Sequence, residues 1–164
     1  MDSDAVRWAR RSSPRLGEYD YSQEGYYFVT ICTIERRPLF GSVSDGRMNA
    51  NGLGEAVVRC WQQLPDYHPY THLDAYVLMP NHVHGIIAIH EDVTEQPRHG
   101  LSEIVRGFKS RSARAINRLR GGEGKPVWQR SFYDHVVRSD ADLARIQEYV
   151  AHNPEAWEAD RFYG

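Results

Sequence analysis

Pro80-Asn81-His82-Val83-His84-Gly85-Ile86-Ile87-Ala88-Ile89 begins with a turn pair and runs into apolar sequence, the pattern of a strand entered through a tight hairpin. Side chains along a strand alternate between faces, so His82 and His84 share one face, close enough to hold one cation. Imidazole is the commonest protein metal ligand, although histidines also sit at i and i+2 inside ordinary cores. A metal site needs a third ligand, and a reaction needs a reacting group and a substrate surface.

Working outward, residues 73–79 form the strand that pairs with 83–90 across the Pro80-Asn81 turn. Upstream, Tyr26-Tyr27-Phe28-Val29-Thr30-Ile31-Cys32-Thr33-Ile34 is dense in β-branched and aromatic residues and reads as a first strand, and 41–52 reads as a loop. Leu53, Val57, Cys60, Trp61 and Leu64 recur at helical spacing, with Pro65 as the stop. Downstream, Leu101, Ile104, Val105, Phe108, Ser112, Ala115, Ile116 and Leu119 mark one face of a long helix that ends at Gly121-Gly122. Residues 132–138 give a fourth strand, and Ser139 or Asp140 caps a last helix over 141–153. The order is strand, helix, strand, strand, helix, strand, helix. Its first six elements match the βαββαβ unit of a ferredoxin-like antiparallel sheet, an α+β fold with one added C-terminal helix.

The 164 residues suit one domain, taken as 25–164 after an irregular polar arm over 1–24 that includes Arg10-Arg11-Ser12-Ser13-Pro14-Arg15. No apolar run approaches the roughly 18 residues of a membrane span, and Met1-Asp2-Ser3-Asp4 is unlike a signal peptide, so a cytoplasmic location is expected. The two cysteines, Cys32 and Cys60, lie in apolar patterns and read as core residues.

Charge is uneven. Net charge is −2, yet residues 101–130 carry eight basic side chains (Arg106, Lys109, Arg111, Arg114, Arg118, Arg120, Lys125, Arg130) against Glu103 and Glu123. Such a segment suits a polyanion, because the arginine fork grips phosphate oxygens; a solvated helix face carries similar runs. On the last helix, Leu143, Ile146 and Val150 give an apolar stripe, and Tyr149 and Asn153 stand at i, i+4 on one flank. Pro154 disfavours helical geometry at Asn153 and frees its amide to turn toward a neighbour. Packing tyrosines and Asn-Pro helix stops look alike at this level.

Together these residues resemble the REP-associated tyrosine transposases, of the HUH (His-hydrophobe-His) single-tyrosine transposase superfamily. The resemblance runs through Tyr19-Asp20-Tyr21, Tyr27-Phe28-Val29-Thr30, Leu39-Phe40-Gly41, Met79-Pro80-Asn81-His82-Val83-His84, Trp128-Gln129-Arg130-Ser131-Phe132-Tyr133-Asp134-His135 and Tyr149-Val150-Ala151-His152-Asn153-Pro154. It implies that His82 and His84 are metal ligands, Tyr149 the nucleophile and Asn153 a further ligand, with His152 as its competitor. It also implies a metal-dependent endonuclease and strand transferase that works through a 5′-phosphotyrosine intermediate. A mixed imidazole and amide set suits Mg²⁺ or Mn²⁺. The implied partner is single-stranded or hairpin DNA, with Arg106, Lys109, Arg111, Arg114 and Arg130 as candidate phosphate contacts. Histidine-triad hydrolases also display alternating histidines, but Ile86 stands where their next histidine is required. A non-enzymatic single-strand-binding module on the same sheet is the other reading.

Overall fold

The structure, a computed structural model, describes residues 24–90, 100–122 and 124–159. Its strands are β1 (Gly25–Cys32), β2 (Gly41–Ser44), β3 (Arg47–Ala50), β4 (Thr71–Met79), β5 (His82–Ile89) and β6 (Tyr133–Val136). Its helices are α1 (Gly52–Gln62), the short α2 (Leu64–Tyr67), α3 (Leu101–Leu119) and α4 (Asp140–Ala151). The expected N-terminal arm lies outside the described residues except for Glu24. No helix among the described residues is long and apolar enough to cross a membrane.

Four strands form one antiparallel sheet in the order β4-β5-β1-β6. This is the expected ferredoxin-like arrangement, with β1 and β5 central and hydrogen-bonded on both sides. Every residue of β5 is buried, which accounts for its continuous apolar run. Parity along the central strands divides the molecule into layers. Tyr27, Val29, Ile31, Val83 and Ile87 pack with Val57 and Trp61 of α1 and with Ile104 and Phe108 of α3. Phe28 and Ile86, on the other face, pack with Ile146 and Val150 of α4. The sheet therefore separates α1 and α3 from α4.

Gly85 lies on the α1 side of β5, and a Cβ there would fall 2.2 Å from Trp61 Cζ2 and 2.8 Å from Cη2. A glycine is required so that the indole can press on the strand backbone. Gly85→Ala should cost about 1–3 kcal/mol through overpacking, read as a lowered midpoint in urea or thermal unfolding. An unchanged midpoint would show that Trp61 moves aside freely.

Three expectations need correction. Residues 41–52 are not simply a loop: β2 and β3 form a hairpin whose turn residues Asp45 and Gly46 have φ of 52° and 70°. The Asp-Gly pair is a hairpin signal, but the strands are four residues long and half exposed, too polar to stand out by composition. Pro65 does not end α1. The helix stops at Gln62, and Pro65 sits in the first turn of α2, where its missing N–H has no helical partner to lose. Leu119, expected on the buried stripe of α3, is 58% exposed because the last turn of the helix projects past the core. Cys32 and Cys60 are free and buried, as expected.

Candidate active site

The register of β1 and β5 places Thr30 opposite His84 and Cys32 opposite His82, all on the face that α4 covers. Both histidines are completely buried, and their ring centroids lie 4.4 Å apart. Two neighbours orient them. Asn81 donates from Nδ2 to the Arg36 carbonyl (3.2 Å), which turns its Oδ1 toward His82 Nδ1 at 2.7 Å. Since that oxygen can only accept, Nδ1 carries the proton and the lone pair of His82 resides on Nε2. His84 Nδ1 meets the Thr30 hydroxyl at 2.7 Å, and its Nε2 faces the Tyr149 hydroxyl at 3.5 Å.

Burial disfavours the imidazolium form of both rings. It lowers the pKa of His84 to about 3. That of His82 falls well below its ordinary value, through burial first and then the His84 charge, against a hydrogen-bonding contact with Asn153. Near neutral pH both rings are uncharged, the form that ligates metals. The sign of the resulting stability term follows. Above the unfolded-state pKa of about 6.5 neither state binds the extra proton; below it the unfolded chain does and the folded His84 does not until about pH 3. Stability should therefore fall by about 1.4 kcal/mol per pH unit for His84 as pH drops from 6.5 toward 4, and more steeply with His82 included. Asp142 contributes a separate loss only near and below its ordinary range. Burial raises its pKa, but hydrogen bonds from His135 and the Arg138 N–H outweigh that and hold it low. Urea unfolding at pH 7, 6 and 5 measures the histidine slope, and a flat profile would remove it.

α4 supplies the other side. Ser139 caps it by accepting from the Asp142 N–H, and Asp142 Oδ2 accepts from His135 Nε2 (3.1 Å), tying the helix start to β6. Tyr149, in the last turn of the helix, packs edge-on to His84 (5.3 Å) and Phe28 (6.2 Å). Past the helix end Asn153 is 2% exposed, and its Oδ1 is buried without an aligned hydrogen-bond partner. His152, its competitor in the sequence, is exposed and bonded to the Glu148 carbonyl. The fold thus gathers His82, His84, Tyr149 and Asn153. Among the described residues no three His, Cys, Asp or Glu side chains form a metal cluster. A cation here would be held by two neutral imidazoles and one amide oxygen, and the buried Asn153 oxygen fits that use.

The five basic candidates do not converge there. Arg106 and Arg114 are exposed on α3, across the sheet from the histidines, and Arg130 is exposed in the loop before β6. Lys109 Nζ donates to the carbonyls of Gln129, Arg130 and Ser131, so it pins that loop. Arg111 lies 3.8 Å over the Tyr67 ring, and burial lowers its pKa. Trp128 is core, its indole N–H donating to Ser112. Sequence reading missed Thr30 and Asn81 as orienting groups and Trp157, whose ring lies 6.0 Å from that of His82. An amide directly before the histidine pair was the available signal for Asn81. Asn81→Ala should weaken binding of Mn²⁺ by about 10–100-fold in calorimetric titration while the fold persists. Unchanged affinity would make that hydrogen bond irrelevant to ligation.

Comparisons with known proteins bear on this arrangement. The family model described as "Transposase IS200 like" matches residues 22–153. An uncharacterized protein of Haemophilus influenzae is 38% identical over 169 residues, covering 93% of each chain. A second protein of that organism, provisionally named a REP-associated tyrosine transposase, is 23% identical over 145 residues, 82% of this chain and 73% of its own. The fold also resembles a REP-associated tyrosine transposase solved bound to a REP hairpin. That likeness has a TM-score of 0.61 at 19% identity and covers 88% of this chain and 73% of that one.

Proposed function

The chain belongs to the IS200-like transposase family, and on that premise we propose that it cuts and rejoins single-stranded or hairpin DNA with Tyr149 as nucleophile. The observation that carries the proposal is the Tyr149 hydroxyl, 3.5 Å from His84 Nε2 at the edge of a buried His82, His84 and Asn153 set. Those three residues would hold Mg²⁺ or Mn²⁺, which when bound supplies Lewis-acid polarisation of the scissile phosphate. A phenol with a pKa of about 10 is otherwise a poor nucleophile at neutral pH.

Tyr149 would bond to phosphorus as the bond to the 3′ oxygen breaks, leaving a 5′-phosphotyrosine and a free 3′-hydroxyl. Since the phosphodiester energy is retained, attack by that or another 3′-hydroxyl rejoins a strand without ATP. The chain's own part is placement. Phe28 and His84 fix the ring, and the His135–Asp142 link fixes the helix that bears it. Buried, His82 and His84 would meet an anionic strand as neutral groups.

For strand binding we assign Arg106, Arg114 and Arg130, with Arg111 beside Tyr67 and Lys109 acting through the loop it pins. The hairpin-bound relative supports a DNA partner of that form. Changing Arg106, Arg114 and Arg130 to Ala should weaken all strands alike and lower the salt-dependence slope by about 0.7 for each phosphate no longer neutralised. A slope equal to that of the unmutated chain would leave these residues as a solvated face.

The deciding experiment incubates 3′-labelled single strands and hairpins taken from the DNA on either side of the gene with protein and Mg²⁺ or Mn²⁺, then resolves products and covalent adducts on a denaturing gel. Cleavage is expected to leave the downstream fragment linked to the protein through its 5′ phosphate and to release the upstream fragment with a free 3′-hydroxyl. Tight binding with every strand left intact would identify a binding module instead.

A further inference from the structure

On the α1 and α3 side of the sheet, away from the histidines, an arginine and a tyrosine stack. The fully buried Leu64 roots the short helix α2, and the last residue of that helix, Tyr67, is the most exposed large aromatic among the described residues, 56% open to solvent. Arg111 of α3 lays its guanidinium 3.8 Å over the Tyr67 ring. Gly107, one helical turn earlier, makes room for it, since a Cβ there would fall 2.9 Å from Arg111 Nη1. Arg111 Nε and Nη2 are shielded from water and meet no hydrogen-bond acceptor. Among the described residues no carboxylate pairs with Arg111, or with Arg114, which is exposed one turn further along α3.

As a staple between α2 and α3 this pair is poorly made. A charged donor loses water at two atoms with nothing accepting from them, and much of the tyrosine stays wet. As a stacking platform it is well made. The guanidinium takes one face of the ring and stops it turning, so the exposure falls on the other face and the rim, where a nucleobase can lie flat. Exposed and without a carboxylate partner, Arg114 can take the phosphate beside that base as its acceptor.

We propose that Tyr67, braced from behind by Arg111, is a stacking platform for a nucleobase of the bound DNA, with Arg114 neutralising the adjoining phosphate. The inference rests on the DNA partner proposed above and adds to it a base contact on the face of the sheet that α1 and α3 cover, so that the strand is gripped on one side and cut on the other.

The test uses Tyr149→Phe protein, so that no strand is cut, in EDTA, with fluorescence anisotropy of labelled oligo(dT) and of an abasic strand of the same length, each titrated across salt. Tyr67→Ala should weaken oligo(dT) binding by about 5–100-fold at an unchanged log–log salt slope, because a base contact neutralises no phosphate, and Tyr67→Phe should stay within about twofold of the parent. The abasic strand should bind the parent and Tyr67→Ala alike. Arg114→Ala should lower the slope by about 0.7 with both strands, and an unchanged slope would strike its phosphate contact. Unchanged oligo(dT) affinity in Tyr67→Ala, or an equal loss on the abasic strand, which would show the ring serving only the fold, would overturn the inference while leaving the proposed function intact. Failure of the parent protein to bind any strand would overturn both.

Discussion

Tyr149→Phe should abolish the covalent protein–DNA adduct and lower strand cleavage by many orders of magnitude while leaving fold and strand binding nearly unchanged. The substitution removes one oxygen and keeps the ring. What the ring touches, edge-on Phe28 and His84 and the side of Cys32, is packing that phenylalanine reproduces. What the hydroxyl touches is a 3.5 Å approach to His84 Nε2, at the limit of a hydrogen bond, so stability should change by under about 1 kcal/mol. Loss of the adduct with an unchanged melt and unchanged anisotropy isolates the chemistry. Tyr133 is the built-in competitor, since it packs on the same Cys32 as Tyr149 and faces Thr30 across β1 and β6. An adduct that persists and maps by peptide sequencing to Tyr133 would reassign the nucleophile.

The site was legible where strict periodicity governs it. In a fully buried strand the period of two leaves His82 and His84 no choice but a common face, and Pro154 lets the chain leave the helix at Asn153. The same parity carries a further consequence. Val83 and Ile87 pack under α1 and α3, so the even-numbered histidines had to face away from the basic helix, and its arginines could not meet the pocket. Helical phase says which residues point outward from α3, not which side of the sheet α3 covers. Thr30 was beyond a sequence reading for another reason: its contact with His84 joins residues 54 positions apart, through a pairing register that no local pattern specifies. The β2–β3 hairpin was the reverse case, a local turn signal present at Asp45-Gly46 but carried by strands too short and polar to register.

His82→Ala and His84→Ala should each eliminate cleavage yet leave a folded protein, and wild type should melt almost alike with and without EDTA. Each truncation opens a small cavity and strands one partner, Asn81 Oδ1 for His82 or the Thr30 hydroxyl for His84. A buried polar group left unpaired costs about 1–3 kcal/mol, serious against a total of about 5–15 kcal/mol but short of unfolding the domain. The larger core lies on the opposite face, where Trp61, Phe108 and their neighbours pack without reference to the pair. A divalent ion held by two imidazoles and an amide would add only the stabilisation its free concentration and affinity allow, and EDTA should remove no more than that. A structural metal behaves otherwise, because its binding energy is folding energy. If EDTA collapses the wild-type transition, or if both alanine variants lose cooperative melting, the histidines staple the sheet to α4 and their proposed part in cleavage loses its support. A folded but inactive pair of variants, with the parent inactive in EDTA and restored by Mn²⁺, assigns His82 and His84 to the chemistry.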